Sequence, residues 1–298
     1  MREIRVATRA SALARAQTGW VRGLIADAVD AQVSEVLVTT QGDTSMAALT
    51  SFGGQGVFVA AVRQAVIDAA ADVAVHSMKD LPTADDPRAT VVAVPVREDP
   101  RDFVVAQAGG LDDLPAGATV ATGSVRRTAF LRRLRPDLQI VGIRGNVDSR
   151  IAKVADGTVD AVVLAVAGLR RLGLTPPGFA LSVDDMLPAV GQGALAVEMR
   201  ADDPLGATVA GIGDQAATAA VTAERALLAG LRAGCSAPVG AATTCRGNQI
   251  EIRAAVLSAD GSKMYECTMS GALSLPHEVG QRAAQHLIGQ GADRLLRR

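Results

Sequence analysis

The chain has 298 residues, 49% of them hydrophobic and 20% charged, with a formal net charge of −1. That length implies two or three domains with apolar cores, and the composition excludes a disordered chain. The even charge balance gives no overall drive toward nucleic acid or membrane surfaces, and with aromatics at only 2% the cores must be built from Val, Leu, Ile and Ala.

The opening "MREIRVATRASALARAQ" has charges at both ends of its first apolar run and no signal-peptide core. No apolar run approaches the ~18–20 residues that span a bilayer. The three cysteines show no disulfide framework. These features predict a cytoplasmic protein.

Short β-branched runs then alternate with helical patterns, which predicts βα units and a mostly parallel sheet. "IRVAT" (4–8) reads as a strand and "ALARAQTGWVRGLIADAV" as an amphipathic helix. Next come the strand "EVLVTT" (35–40), the helix "VFVAAVRQAVIDAA" (57–70) and the strands "DVAVHS" (72–77) and "TVVAVPV" (90–96). "REDPRD" (97–102) supplies charge and a proline, the mark of a crossing between domains. A second set follows: "ATVAT" (118–122), "VRRTAFLRRL", "LQIVGI" (138–143), "VDSRIAKVAD" and "DAVVLAV" (160–166). Both sets open alike, "VATRAS" at 6–11 and "VATGSV" at 120–125, which suggests two similar lobes. From about residue 217 the pattern changes to a helix, three alternating strands and one last helix ("HEVGQRAAQHLIGQGADRLLRR"), a small α+β domain.

The clearest concentration of chemistry lies between Arg126 and Arg171, where nine arginines and Lys153 stand against Asp137, Asp148, Asp156 and Asp160. Arg132, Arg133 and Arg135 read as solvated helix faces. Arg126 and Arg127 follow "TGS" at a strand-to-helix turn, where free N–H groups and the helix dipole favour anions. Arg144, Arg150, Arg170 and Arg171 fall at or beyond strand carboxyl ends, where open α/β sheets bind ligands, and Arg9 and Ser11 take the equivalent place in the first lobe. Arginine forks grip carboxylates and phosphates bidentately, so the set calls for a ligand with several negative groups. Single-stranded nucleic acid fits less well, because Phe130 is the only aromatic in the basic segment. "VAVHSMKDLP" places Lys79 and Asp80 at another strand's carboxyl end, where a carboxylate among arginines stays ionised and can stabilise a cation. "SFGGQGVFV" (51–59) matches no nucleotide motif and reads as a loop or lid. His76, His277 and His286 form no zinc spacing, so no metal is expected. Cys245 and Cys267 sit within expected strands as core candidates. Cys235, in the turn "AGCSAPVG", stays open between a buried thiol, a nucleophile, a metal ligand and an attachment point.

Taken together, "IRVATRASALARAQ", "DVAVHSMKDLPT", "REDPRDFVV", "RGNVDSRIAKV", "VLAVAGLRRLGL", "LPAVGQGALAVE" and "AGCSAPVG" resemble the porphobilinogen deaminase (hydroxymethylbilane synthase) family, in family order and over nearly the whole chain. The resemblance implies an α/β fold of two periplasmic-binding-protein-like βα lobes, 1–96 with 194–212 and 101–188, plus a small α+β C-terminal domain over 217–298. It implies head-to-tail condensation of four porphobilinogen molecules to hydroxymethylbilane with release of ammonia, for tetrapyrrole synthesis, by a cytoplasmic monomer. The product grows on a dipyrromethane cofactor held by a thioether to Cys235. Lys79, Asp80, Thr122, Ser124, Arg126, Arg127 and Arg144 match cofactor-binding positions. Arg9, Ser11, Phe58, Arg144, Arg150, Arg171 and Gln192 match substrate-binding ones. Asp80 matches the catalytic aspartate, which stabilises positive charge on pyrrole nitrogens as ammonia leaves and an azafulvene forms. Ser51 and Gln55 stand where many relatives carry lysines, and Arg170 replaces a frequent lysine.

Overall fold

The computed structural model describes residues 3–29, 31–38, 57–234 and 236–296, with the side chains of residues 57 and 58 not described. The expected attachment point Cys235, most of the glycine-rich segment at 51–56 and the Phe58 side chain therefore lie outside the described residues. The chain divides into two compact units, Met1–Glu98 with Ala194–Val221 and Asp99–Gly193 with Thr222–Arg298.

The first unit is built on β1 (Glu3–Arg9), β2 (Gln32–Val38), β3 (Val73–Ser77), β4 (Ala89–Ala93) and β10 (Leu195–Arg200), in the order β2-β1-β3-β10-β4. Helices α1 (Ala12–Ala28) and α2 (Val57–Ile67) follow β1 and β2. Alternation along β1 and β3 sends Ile4, Val6, Val73 and Val75 to one face, against Val21 and Ile25 of α1. Ala7 and Ala74 face the other way, against Val62 and Val66 of α2.

The second unit holds β5 (Asp102–Ala106), β6 (Thr119–Ala121), β7 (Gln139–Val141), β8 (Ala161–Ala165) and β9 (Gly178–Ala180), in the order β7-β6-β8-β5-β9. Its helices are α3 (Val125–Leu134), α4 (Val147–Ala155) and the short α5 (Val166–Arg171). In sequence-equivalent places β6 matches β1, β7 matches β2 and β8 matches β3. Both central trios are parallel, and both sheets add an antiparallel inner strand, β10 or β5, followed by an antiparallel edge strand. The similar openings "VATRAS" and "VATGSV" thus lie on equivalent strands.

The sheets are less parallel than the alternating pattern predicts, with parallel and antiparallel pairings evenly divided in each. The reason lies in the connections. The chain passes from edge strand β4 into the middle of the second sheet as β5, and from β9 into the middle of the first as β10. A strand that arrives this way is not returned over its own sheet by a helix, so it is free of the constraint that makes βαβ neighbours parallel.

The C-terminal part of the second unit carries α7 (Gln215–Gly230, whose first residues belong to the first unit), and an antiparallel meander of β11 (Val239–Arg246), β12 (Gln249–Leu257) and β13 (Met264–Ala272). A short α6 (Gly206–Val209) precedes it, and α8 (Pro276–Gln290) and α9 (Asp293–Leu296) close the chain. The expected single last helix is broken at Gly291, whose φ of 100° makes a left-handed cap that an L side chain resists. Ala255 and Leu257 of β12 join Leu131, Phe130, Val120 and Val163 in one core cluster, so the meander packs against α3 and the second sheet. Cys267 of β13 is buried with its Sγ 3.7 Å from the Ala283 carbonyl of α8, and burial followed by the Glu266 charge pushes its thiol up to about 11, an inert core cysteine. Cys245 departs from the core expectation: it is half-buried, because the last part of β11 runs out of the packed region. Among the described residues no helix is long and apolar enough to cross a membrane.

Candidate functional site

Ligand-facing positions of such sheets lie beyond the carboxyl ends of the parallel strands, and the second unit is richest there. After β6 the chain turns through Thr122, which is buried and accepts a hydrogen bond from the Ser124 N–H at 3.1 Å. Ser124 caps α3, accepting from the Arg127 N–H at 3.4 Å, which sets Arg126 and Arg127 in the first helical turn. After β7, buried Ile143 anchors the chain and Arg144 is exposed. Arg150, in the first turn of α4, donates through Nε to the Gly145 carbonyl at 2.8 Å. Burial, and after it the charge of Arg127, lowers the Arg150 pKa. Arg171 ends α5 and donates to the Gly193 carbonyl at 2.7 Å. Arg170 is exposed and lies 3.5 Å from Asp99, which Arg101 also holds.

Arg126 and Arg127 are not the exposed anion hooks that their place at a helix start suggests, because both are buried on one carboxylate, Asp102. Arg126 Nη2 is 2.7 Å from Asp102 Oδ2, while Arg127 donates through Nη2 and Nε to Oδ1 at 2.7 and 3.0 Å. The other ends of the forks are fixed by main chain: Arg126 Nη1 on the Leu187 carbonyl at 2.6 Å and Arg127 Nη1 on the Val163 carbonyl at 2.7 Å. Buried Gln192 donates to Asp102 Oδ1 at 2.9 Å and to the Pro100 carbonyl at 2.7 Å. Burial alone would raise the Asp102 pKa, but Arg126, Arg127 and the Gln192 amide together hold it down at about 2. Burial pushes Arg126 below its ordinary value despite the Asp102 charge. Arg126 Nε is buried without a hydrogen-bond partner among the described residues.

Asp102 escapes the sequence reading because it stands outside the basic segment, in a stretch read only as a crossing. One signal does point to it: an acid directly before the apolar run "FVVA" begins a buried strand, and a buried carboxylate needs a cation. As the first residue of β5 it pairs with Ala165, the last of β8, so antiparallel entry delivers it to the edge where the arginines stand. The surrounding turns are also braced. Glu224 of α7 accepts from the Gly191 N–H at 2.7 Å, next to Gln192. A Cβ at Gly240 of β11 would come within 2.8 Å of the Leu187 carbonyl oxygen, the acceptor of Arg126, so this strand needs glycine there.

In the first unit, Arg9 ends β1 and Ser11 caps α1, accepting from the Ala14 N–H at 3.4 Å as Ser124 does in α3. Lys79 and Asp80 occupy a single 3-10 turn directly after β3. Buried Met78 and Leu81 pin this turn on both sides, and the Met78 N–H donates to the Ala194 carbonyl at 3.0 Å. Asp80 is thereby held out exposed, with Lys79 half-buried. His76 is a buried strand residue whose Nε2 lies 3.2 Å from Glu198 Oε2, and Arg63 of α2 grips the same carboxylate at 2.8 Å. The structure thus gathers Arg126, Arg127 and Gln192 on Asp102, with Thr122 and Ser124 in the turn that starts α3 and Arg150 close enough to feel Arg127. It sets Arg9 and Ser11, and Lys79 and Asp80, on the neighbouring strand ends of β1 and β3.

Residues 4–207 match the family model described as porphobilinogen deaminase, dipyromethane cofactor binding domain, and residues 218–289 match porphobilinogen deaminase, C-terminal domain. The chain is 46% identical to porphobilinogen deaminase 1 of Streptomyces coelicolor, over 98% of this chain and 97% of that one. It is 47% identical to a porphobilinogen deaminase of Mycobacterium tuberculosis, over 98% of each. Among solved structures, the VFT2 domain of Bordetella pertussis BvgS aligns with a TM-score of 0.42 at 19% identity, over 70% of this chain and 84% of that one. An arginine-specific periplasmic binding protein of Salmonella typhimurium aligns with a TM-score of 0.39 at 12% identity, over 71% and 92%.

Proposed function

The chain belongs to the porphobilinogen deaminase family, and on that premise we propose that it condenses four porphobilinogen molecules head to tail into hydroxymethylbilane, releasing ammonia, for tetrapyrrole synthesis. The observation that carries the reading is the set Arg126, Arg127, Arg144, Arg150 and Arg171 beyond the strand ends of one unit, in a chain whose net charge is −1. Porphobilinogen bears an acetate and a propionate, the polycarboxylate such a set recognises.

The same donor chemistry suits the family's dipyrromethane cofactor, which carries acetate and propionate groups of its own. Buried Arg126 Nε, lacking a partner among the described residues, is a donor available to such a group. Thr122, Ser124, Arg126, Arg127, Arg144 and Lys79 would hold the cofactor, with Cys235 as its thioether anchor. Bound there, it supplies the free pyrrole carbon from which the product is extended. Arg9, Ser11, Phe58, Arg150, Arg171 and Gln192 serve the incoming substrate. Asp80 acts as the catalytic carboxylate: held out on its pinned turn, it stabilises the positive charge that develops on the pyrrole nitrogen as ammonia departs. A charge placed in advance against a developing cation lowers the barrier without reorganisation at the moment of reaction. We place the enzyme in the cytoplasm, acting as a monomer.

Incubation of the purified chain with porphobilinogen tests this directly. Equal amounts of porphobilinogen lost and ammonia released, with hydroxymethylbilane formed, is the expected result. Binding without turnover would instead make the chain a carboxylate-binding protein. Intact mass of the denatured chain should show the covalent dipyrromethane, absent from Cys235→Ala; an unmodified yet active chain would remove the cofactor assignment.

A further inference from the structure

We propose that Asp102 is the positioning residue of the arginine site: it fixes the Arg126 and Arg127 guanidiniums and offsets one of their two charges, leaving their remaining N–H donors aimed at a ligand carboxylate. The inference rests on the function proposed above. Asp102 is fully buried and reaches both guanidiniums at 2.7 Å, so two like charges share one counter-charge away from water. Without it, adjacent buried guanidiniums would repel each other and splay. With it, and with the Leu187 and Val163 carbonyls gripping the other ends of the forks, each planar group has one orientation.

Each arginine still has donors to offer. Arg126 keeps Nε, which no described residue meets, and of the five N–H bonds of Arg127 only some are engaged by Asp102 and Val163. The pair therefore presents one net positive charge with fixed geometry, suited to one carboxylate of the ligand. Gln192 works through the same acid. Its amide donates to Asp102 Oδ1, so it sets the carboxylate plane, an indirect way of serving the substrate.

The test combines Asp102→Asn, Asp102→Glu, Gln192→Met and the Asp102→Asn/Gln192→Met double variant in the full chain. Two readouts are taken on the monodisperse, folded fraction: the share of molecules carrying the covalent cofactor mass, and the KM and kcat of the loaded share. Asp102→Asn should load at least about tenfold more slowly from porphobilinogen, as expected for loss of a charge-assisted anchor. In the loaded share, KM should rise with kcat nearly unchanged, as for an interaction lost equally from ground and transition states. Asp102→Glu, which keeps the charge one methylene away, should recover part of the loading. Gln192→Met should add little on top of Asp102→Asn, because the two act in series.

Wild-type loading and KM in folded Asp102→Asn would overturn the inference, as would additive effects of the two sites on loading. If Asp102→Asn does not fold, Asp102→Glu and Gln192→Met decide: wild-type loading in both overturns it, and slowed loading in both supports it. A wild-type chain that neither loads nor consumes porphobilinogen would instead remove the function proposed above, a result separable from any effect of Asp102.

Discussion

The two five-stranded sheets share strand order and sense, and each carries a buried acid on its inserted antiparallel strand, yet the acids sit at different heights. Glu198 lies midway along β10, opposite Ala74, where it ties Arg63 of α2 and His76 of β3 into the interior. Asp102 stands at the first position of β5, opposite the last residue of β8, and organises cations at the ligand-facing edge. Height along one equivalent strand thus separates an acid that ties a helix to its sheet from one that gathers guanidiniums at a strand end. The first lobe keeps its chemical edge sparse, with Asp80 exposed on a pinned turn. The second crowds its edge with guanidiniums.

The sharpest way to break this comparison is to neutralise both acids. Asp102→Asn leaves two buried guanidiniums unpaired and should cost about 3–5 kcal/mol in denaturant unfolding of the second unit. Glu198→Gln strands Arg63, whose side chain keeps 14% exposure, and weakens the His76 contact, and should cost about 1–3 kcal/mol. Equal costs would mean that strand height does not matter.

Asp80→Ala tests the other edge. Turnover of porphobilinogen should fall about 10²–10³-fold, the usual size of a lost preorganised electrostatic group. Being exposed, the change should leave the melting temperature within about 1 °C of wild type. Near-normal turnover would move the catalytic charge elsewhere.

Acid titration separates the charge of Asp102 from its shape. Its folded pKa, about 2 against 3.8 for the free group, is depressed, so its ionisation stabilises the fold above about pH 4. That contribution is lost as pH falls from about 4 through 2. The groups facing it are Arg126, Arg127 and the Gln192 amide, with Arg150 beyond Arg127. The stability gap between wild type and Asp102→Asn should therefore close by about 2–3 kcal/mol over this range; a constant gap would show that packing alone is at stake.

The smallest effects belong to the caps that the lobes share. Ser11→Ala and Ser124→Ala should each cost about 1 kcal/mol by unfolding. Both should also raise the KM for porphobilinogen, Ser124→Ala because its helix start carries Arg126 and Arg127, and Ser11→Ala through its own place among the substrate-binding residues.

Most of the helices and the parallel strands were legible from local pattern: β1, β3, β6 and β8 are apolar runs followed by small polar turns and helices. The lobe repeat was visible in "VATRAS" and "VATGSV". The inserted strands were not, because "DFVVA" and "LAVEMR" are short apolar runs whose partners lie far away in sequence, and nothing local states strand direction. The arginine edge was visible from charge and position. What hid was its organiser: burial of Arg126 and Arg127 depends on an acid 25 residues before Arg127, joined to them only when β5 enters the sheet. Leu187, whose carbonyl completes the Arg126 grip, shows no polar side chain to read.

The crossing of strands also sets an order of folding. All five strands of the second sheet fall within residues 102–180, so that sheet has every strand once its stretch has left the ribosome. The first sheet has an inner place, between β3 and β4, that only Leu195–Arg200 can fill. Until that stretch emerges, β4 has no neighbour and the facing edge of β3 stands open, the kind of unpaired edge that invites association between nascent chains. The first lobe to be synthesised is thus the last to be completed, its closure waiting on the long-range pairing that slows folding.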